Sequence, residues 1–150
     1  MSVGAGRLEG PDYGLLIDRK RPLSFSFDGK LYSGFYGDVI ASALYAQGRV
    51  LLSRSFKYHR PRGVLTMSGH DANTIVQVGG EPNARADQHA LTDGMAVESV
   101  NRLGPLDHDL YAGIGLFSRF LPVAFYYKTF YWPRGVWQHL FERPIRIMAA

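Results

Sequence analysis

Two pairs of side chains near the middle of the sequence could bind a metal ion: His70 with Asp71, and Asp87 with His89. Imidazole and carboxylate groups are ligands that zinc and non-haem iron accept in proteins. The spacing gives weak support for such a site, because the members of each pair are near neighbours in predicted loops. We therefore expect no metal site in this chain.

The sequence offers no other recognisable catalytic group. It contains no G-x-S-x-G, H-E-x-x-H or P-loop motif, and it has no cysteine to serve as a nucleophile or as a thiolate ligand. The acids Glu98, Asp107 and Asp109 have no recognisable partner, so we interpret them as solvated surface residues. We expect no catalytic constellation within this chain.

The segment Arg62 to Val78 resembles the cluster loop of a plant-type [2Fe–2S] ferredoxin from which every cysteine has been removed. Such a loop has the pattern C-x4-C-x2-C, and a strand and a fourth cysteine follow it. The overlay keeps a loop glycine at Gly69 and a strand at Ile75 to Val78. It places the four cysteine positions, called here the predicted cluster positions, at Thr66, Asp71, Thr74 and Asp87.

The fourth of these positions comes from the stretch E-P-N-A-R-A-D-Q-H-A-L-T-D-G-M. This stretch resembles the segment that carries the last cysteine in the small ferredoxin-like subunits of amine dehydrogenases. Iron–sulfur clusters are held by thiolates, and hydroxyl and carboxylate groups cannot replace four thiolates around soft, sulfide-bridged iron. We therefore predict a ferredoxin-like fold that carries no cluster and binds no cofactor itself.

Local patterns predict the elements that must position this loop. Leu23 to Phe27 alternates as a strand, and Asp28-Gly29 is a strong two-residue hairpin signal that a return strand follows. Asp38 is a good N-cap for a helix with an apolar stripe, and Gly48 is a plausible terminator. The order of hairpin and then helix is that of a β-grasp fold.

Further strands complete the predicted α+β, ferredoxin-like β-grasp fold. They are a short strand at Val50 to Leu52, a β-branched strand at Thr74 to Val78 and a last strand at Met95 to Val100. Leu44 is predicted to be a central contact of the helix. The predicted divisions are an N-terminal arm over 1–21, the β-grasp domain over 22–101 and a helical, aromatic-rich extension over 102–150.

Composition indicates a globular chain with a basic balance. The 150 residues are 46% hydrophobic and 20% charged, which suffices for a domain with a substantial core. The net charge is +4, but the basic residues are scattered and no nucleic-acid-binding motif is present, so we expect no nucleic-acid partner. Without a long apolar run or an N-terminal h-region, we expect no membrane insertion and a cytoplasmic location.

Two segments combine basic and aromatic residues at high density. Arg54 to Arg62, called here the basic–aromatic loop, predicts a contact surface for another subunit or a phosphate-bearing cofactor, with a solvated loop as the alternative. Phe125 to Pro133 has six aromatic residues among nine, which predicts a clamp on a larger body. The predicted partner-binding residues are Arg54, Phe56, Lys57, Tyr58, Arg60, Arg62, Tyr126, Tyr127, Lys128, Phe130 and Trp132.

Four stretches, in order along the chain, resemble the N-terminal region of the α subunits of heterotetrameric sarcosine oxidases. They are R-P-L-S-F-S-F-D-G-K-L-Y-S-G-F-Y-G-D, S-R-S-F-K-Y-H-R-P-R-G-V-L-T, E-P-N-A-R-A and F-Y-Y-K-T-F-Y-W-P. The resemblance implies a cysteine-less ferredoxin-like domain in an enzyme that contains FAD, FMN and NAD. Such an enzyme oxidatively demethylates sarcosine at the FAD of its β subunit and passes electrons through FMN to oxygen.

We interpret the chain as a non-catalytic structural part of a multi-subunit flavoenzyme that acts on sarcosine or a related secondary amine. No G-x-G-x-x-G unit is present, so we expect the dinucleotide, flavin and folate modules on a longer polypeptide or on other subunits. One alternative is a free-standing binding module that uses the basic–aromatic loop on an anionic partner. Another is a small subunit of an amine or opine dehydrogenase, although the absence of cysteine argues against a live electron-transfer centre.

Overall fold

The computed structural model describes residues 6–8, 10, 12–113 and 140–143. Within them the elements are β1 (Asp18–Phe27), β2 (Lys30–Tyr36), α1 (Ile40–Ala46), β3 (Leu51–Arg54), β4 (Pro61–Gly63), β5 (Ile75–Val78), β6 (Glu81–Arg85), β7 (Ala96–Ser99) and a 3-10 helix (Leu106–His108). The chain divides into two compact units. The first comprises Met1–Ser53 with Pro61–Val100, and the second comprises Arg54–Arg60 with Asn101–Ala150.

The first unit begins with the predicted hairpin of β1 and β2. Phe27 pairs with Lys30 across a two-residue turn in which Asp28 and Gly29 have φ angles of 49° and 76°. Positive φ at both central residues is the geometry of a type I′ turn, whose twist matches that of the paired strands. The carboxylate of Asp28 also accepts hydrogen bonds from the Ser99 backbone N–H at 2.8 Å and the Ser99 hydroxyl at 2.7 Å. The turn is therefore fixed to β7.

Helix α1 ends as predicted. Gly48 has a φ of 77°, and its N–H donates to the Tyr45 carbonyl while the Arg49 N–H donates to the Leu44 carbonyl, both at 2.9 Å. This pair of bonds is the Schellman arrangement, which satisfies carbonyls that the end of a helix leaves open. A residue without a Cβ is favoured at the left-handed position, so Gly48 ends the helix.

The beginning of α1 differs from the prediction by one residue, because the N-cap is Val39 rather than Asp38. The buried Asp38 carboxylate instead accepts bonds from Arg7, at 3.1 and 2.6 Å, and from the Phe35 N–H at 2.9 Å. It also accepts the Ser42 hydroxyl proton, while the Ser42 oxygen accepts the Val39 N–H. The acid therefore stabilises the first turn through Ser42 and not as the cap itself.

The sheet of the first unit has the mixed topology of a β-grasp domain, which confirms the predicted fold class. Its strand order is β2-β1-β7-β5-β6, with β1 and β7 parallel and the other described pairs antiparallel. A separate two-stranded sheet joins β3 and β4. The core residues with no more than 2% exposure include Phe25, Phe27, Val76 and Val97 of the sheet and Leu44 of the helix.

Three stretches of strand were not predicted from sequence. β1 begins at Asp18, although D-R-K-R has no apolar alternation, and its register with β2 shifts between Asp18 and Pro22. β4 has only three residues, and β6 contains Pro82 and Asn83, the latter at a φ of 60°. Such strands depend on pairing partners rather than on their own propensity. The predicted divisions at 21/22 and 101/102 stay a prediction.

In the described part of the chain, none of the helices has the length and apolar character that crossing a bilayer requires. Of the predicted extension, residues 102–113 and 140–143 are described. The aromatic run at 125–133 lies outside the described residues.

Candidate functional site

The loop of residues 64–74 joins β4 to β5 and contains three of the four predicted cluster positions. The antiparallel pairing of β5 with β6 places Ile75 opposite Arg85, so the start of β5 lies beside the end of β6. The Ala86 N–H donates to the Thr74 carbonyl at 2.9 Å. Asp87 follows Ala86 directly, so the pairing of β5 with β6 places the fourth predicted cluster position beside the 64–74 loop.

Asp71 is the centre of this loop. One carboxylate oxygen accepts the N–H groups of Leu65 at 2.6 Å and Thr66 at 3.1 Å. The other accepts the backbone N–H of Asn73 at 2.8 Å and its side-chain amide at 3.0 Å. The side chain is only 3% exposed, so a buried anion holds the loop in one conformation through four hydrogen bonds.

The pKa of Asp71 follows from this environment. Burial, the largest single influence, would raise the pKa of the carboxyl group. The hydrogen bonds from the backbone N–H groups of Leu65, Asn73 and Thr66 and from the Asn73 side chain lower it, and together they outweigh burial. The pKa of Asp71 is therefore held below its ordinary value, and the group is ionised at neutral pH.

Asp87 and Thr74 extend the network beneath the loop. One oxygen of the Asp87 carboxylate accepts the Asp71 backbone N–H at 3.0 Å, and the other lies 3.1 Å from the Thr74 hydroxyl. The same hydroxyl lies 3.0 Å from the Asp71 carbonyl oxygen. Both side chains are buried, so three of the predicted cluster positions form one internal network.

Thr66 joins this network differently. Its backbone N–H donates to Asp71, but its hydroxyl lies 2.8 Å from the Ser68 hydroxyl. The Ser68 N–H also points at the Thr66 hydroxyl oxygen, at 3.2 Å. The structure therefore brings all four predicted cluster positions to one loop, with Thr66 on its outer, half-buried side.

The side chains at these positions do not fit an iron–sulfur cluster. Their donor atoms are hydroxyl and carboxylate oxygens, whereas such clusters require thiolates. The oxygens of Asp71 and one oxygen of Asp87 already face N–H donors of the chain itself. The loop therefore provides a hydrogen-bonded centre where the ferredoxin pattern would place iron.

The histidines near this loop lie apart from its buried centre. His70 is exposed, and a ring nitrogen of the half-buried His89 lies 3.2 Å from the Ala90 carbonyl oxygen. Among the residues that the structure describes, no group of three or more His, Cys, Asp and Glu side chains could hold a metal ion.

The residues of the basic–aromatic loop have unequal positions. Arg54 is buried, and its guanidinium group donates to the carbonyls of Leu106, at 3.1 and 2.8 Å, and of His59 at 2.9 Å. Arg60 is exposed and lies over the ring of Tyr58, 4.7 Å from its centroid. Arg54 thus serves the interior of the second unit, whereas the Arg60 side chain lies on the surface of that unit.

The other predicted partner-binding residues divide between the two units and the undescribed part of the chain. Phe56 and Lys57 are half-buried in the second unit, whereas Arg62 is exposed in the first unit and donates to the Asn73 side chain. The five predicted residues of the aromatic run lie outside the described residues; they are Tyr126, Tyr127, Lys128, Phe130 and Trp132.

Sequence reasoning missed a buried pair in the second unit. A ring nitrogen of His59 lies 2.8 Å from Asp109, whose other oxygen accepts the backbone N–H groups of Leu103 and Tyr111. The interpretation of Asp109 as a solvated surface acid is therefore wrong. His59 and Asp109 are 50 positions apart, and no local pattern links them.

Comparison with known proteins identifies a family that is consistent with the β-grasp fold. Residues 20–102 match the family model described as the 2Fe-2S iron-sulfur cluster binding domain. The chain is 50% identical over 139 residues to the sarcosine oxidase subunit alpha of Rhizobium meliloti (strain 1021), which covers 90% of this chain and 14% of that protein. It is 32% identical over 101 residues to the sarcosine oxidase subunit alpha of Corynebacterium sp. (strain U-96). This match covers 63% of this chain and 10% of that protein.

Among solved structures, the chain is similar to the L-proline dehydrogenase of P. horikoshii, with 26% identity, a TM-score of 0.47 and coverage of 55% of this chain and 16% of that one. The chain spans only 10–14% of the length of the two curated relatives named above. The matched family normally binds a [2Fe–2S] cluster, but this sequence has no cysteine. The chain therefore belongs to the 2Fe-2S iron–sulfur cluster binding domain family, as a cysteine-less homologue of the sarcosine oxidase alpha subunit.

Proposed function

We propose that this chain is a non-catalytic, structural domain of a multi-subunit flavoenzyme of the sarcosine oxidase type. In this proposal the β-grasp unit keeps the shape of an electron-transfer domain but transfers no electrons. The oxidation of sarcosine, or of a related secondary amine, takes place on other domains or subunits.

One observation carries this proposal. The predicted cluster positions lie together in the fold, and the buried Asp71, Thr74 and Asp87 are hydrogen-bonded to one another. A site that had only lost its ligands would leave polar groups without partners, and such groups are costly when buried. The closed network supports a domain whose loop is maintained for its shape without a redox centre.

The proposal extends to the rest of the assembly. We expect FAD, FMN and NAD to be bound by other domains or subunits of a heterotetrameric, cytoplasmic enzyme. The named relatives are alpha subunits of sarcosine oxidase, which supports other protein subunits as the partners. The exposed Arg60 of the basic–aromatic loop is one group that such a partner would contact.

The test is a native purification of the protein that carries this chain, through an affinity tag, from its own cells. The absorption spectrum, the iron content and the sarcosine-dependent release of hydrogen peroxide are measured on the purified assembly. We expect flavin absorption, larger co-purified subunits, peroxide release and no iron bound to this chain.

Two results would contradict the proposal. A colourless protein recovered without partners would favour an independent binding module. Iron–sulfur absorption that maps to this chain would favour an electron-transfer subunit. N-methylglutamate and other secondary amines, tested beside sarcosine, identify the substrate.

A further inference from the structure

The outer face of the 64–74 loop carries two large apolar side chains that the domain does not bury. Leu65 is 79% exposed and Met67 is 44% exposed, and the neighbouring Ser68 and His70 are exposed as well. Single exposed apolar side chains are common on protein surfaces, so the exposure of either residue alone would not indicate a contact. Two exposed apolar side chains only two residues apart on one loop, near exposed arginine, have the composition of a contact surface.

This loop is held rigidly from below. The Leu65 and Thr66 N–H groups donate to Asp71, and the Asp71 N–H donates to Asp87. The far side is fixed by Gln88, whose amide donates to the Gly69 carbonyl at 2.6 Å. A partner therefore meets a preorganised loop and loses little conformational entropy on ordering it.

The charges around the two apolar side chains have one sign. Arg62 is exposed and donates to Asn73 within the loop, and Arg85 donates to the Gln88 that contacts Gly69. The two acids of the site are buried and directed inward. Between residues 61 and 90, the one exposed acid is Glu81, at the opposite end of β6 from Arg85 and about 13 Å away along the strand.

We propose that this face, defined by Arg62, Leu65, Met67 and Arg85, docks onto an acidic protein surface of the same assembly. The two apolar side chains would enter an apolar centre, and the two arginines would meet carboxylates at its rim. Arginine beside carboxylate, around a buried apolar contact, is a common composition of protein interfaces. The inference rests on the proposed function, since it names the surface by which the domain would join its partners.

The absence of cysteine makes a direct test possible. Leu65→Cys places a single thiol of this chain on the proposed face, and Leu31→Cys places one on β2 as a matched control. The two leucines are 79% and 78% exposed, so the thiols should react with a maleimide at similar rates where nothing covers them. The labelling of each peptide is measured by mass spectrometry in the native assembly and after denaturation in urea.

In the assembly we expect the thiol of Leu65→Cys to be labelled at least about tenfold more slowly than that of Leu31→Cys. In urea the two rates should agree. High salt should raise the slow rate, because it screens contacts between arginine and carboxylate. Adding Arg62→Glu to the Leu65→Cys variant should also raise the labelling rate of its thiol. Adding Lys20→Glu, which reverses an exposed charge on β1, should leave that rate unchanged.

Fast labelling of the Leu65→Cys thiol in the native assembly, at the rate of an uncovered Leu31→Cys thiol, would overturn the inference. Protection that disappears when a bound small anion is extracted, while the subunits stay together, would also overturn it in favour of a cofactor contact. Protection without flavin or amine oxidation would leave the docking surface standing and refute the proposed function. Amine oxidation by an assembly in which the Leu65→Cys thiol is not protected would refute the docking surface and leave the proposed function supported.

Discussion

Asp71 is the residue on which the conformation of the 64–74 loop depends. Its four hydrogen bonds tie residues on both sides of the loop to one buried carboxylate. Asn at this position would turn an NH2 group towards one pair of donors. An amide cannot accept where it must donate, so two N–H groups would lose their acceptor.

Asp71→Asn should therefore lower the free energy of unfolding by about 1–3 kcal/mol, because the donors that lose their acceptor are only partly shielded from water. Urea denaturation followed by circular dichroism measures the change. Glu98→Gln, which neutralises an exposed acid on β7, is the control and should change the free energy of unfolding by less than about 0.5 kcal/mol. An Asp71→Asn variant as stable as the control would show that the carboxylate does not hold the loop.

The lowered pKa of Asp71 also predicts a dependence on pH. A carboxyl group whose pKa is lower in the folded state stabilises the fold above its unfolded pKa, and this contribution is lost as the pH falls through the folded pKa. The stability difference between the native chain and Asp71→Asn should be constant above about pH 5 and shrink below about pH 4. Denaturation midpoints measured across this range test it; a difference that grows towards low pH would contradict the assignment.

At the scale of single residues, the sequence could predict where these groups lie but not what they do. The spacing of Thr66, Asp71 and Thr74 places them in one loop, and the overlay adds Asp87. Their mutual hydrogen bonds depend on the pairing of β5 with β6, which no local pattern specifies. The His59–Asp109 pair was missed for the same reason, because it joins positions that only the folded chain brings together.

At the scale of elements, the strongest local signals were confirmed. Asp28-Gly29 forms the turn of the hairpin, and Gly48 ends α1. The weaker elements, β4 and β6, were missed because short strands with proline or with positive φ have no signature of their own. The start of α1 shifted because Asp38 has other partners, among them Arg7 from the N-terminal part of the chain.

Leu44 allows a specific test of the predicted core contact of α1. Its side chain is completely buried, so Leu44→Ala removes apolar contacts and leaves a cavity between helix and sheet. The free energy of unfolding should fall by about 2–5 kcal/mol. Tyr45→Ala on the same helix, where the side chain is 52% exposed, is the matched control and should cost much less. Similar losses from both variants would contradict the central packing role of Leu44, because alanine is the best helix former and neither change loses stability through helix propensity.

At the scale of the whole molecule, the overlay predicts that four positions of this fold correspond to the cysteines of a ferredoxin, and the structure brings these four positions together. The combined change Thr66→Cys, Asp71→Cys, Thr74→Cys and Asp87→Cys should therefore create a binding site for a [2Fe–2S] cluster. After reconstitution with ferrous iron and sulfide, we expect visible absorption and about two iron atoms per chain. The matched control keeps Asp87 and changes the other three positions.

The control should retain much less iron than the fourfold variant, because the cluster then lacks one thiolate. A fourfold variant that folds, as judged by circular dichroism, but stays colourless would refute the overlay. That result would not affect the hydrogen-bond network observed in the native chain.

The position of Asp71, where the overlay predicts a cluster ligand, has a consequence for how the domain matures. Binding of a metal centre can be part of the folding free energy of a small domain, which then depends on supply of the metal. Here the group that orders the 64–74 loop is encoded in the polypeptide and arrives with translation. We therefore expect iron starvation or exposure to chelators to leave the yield of folded domain unchanged.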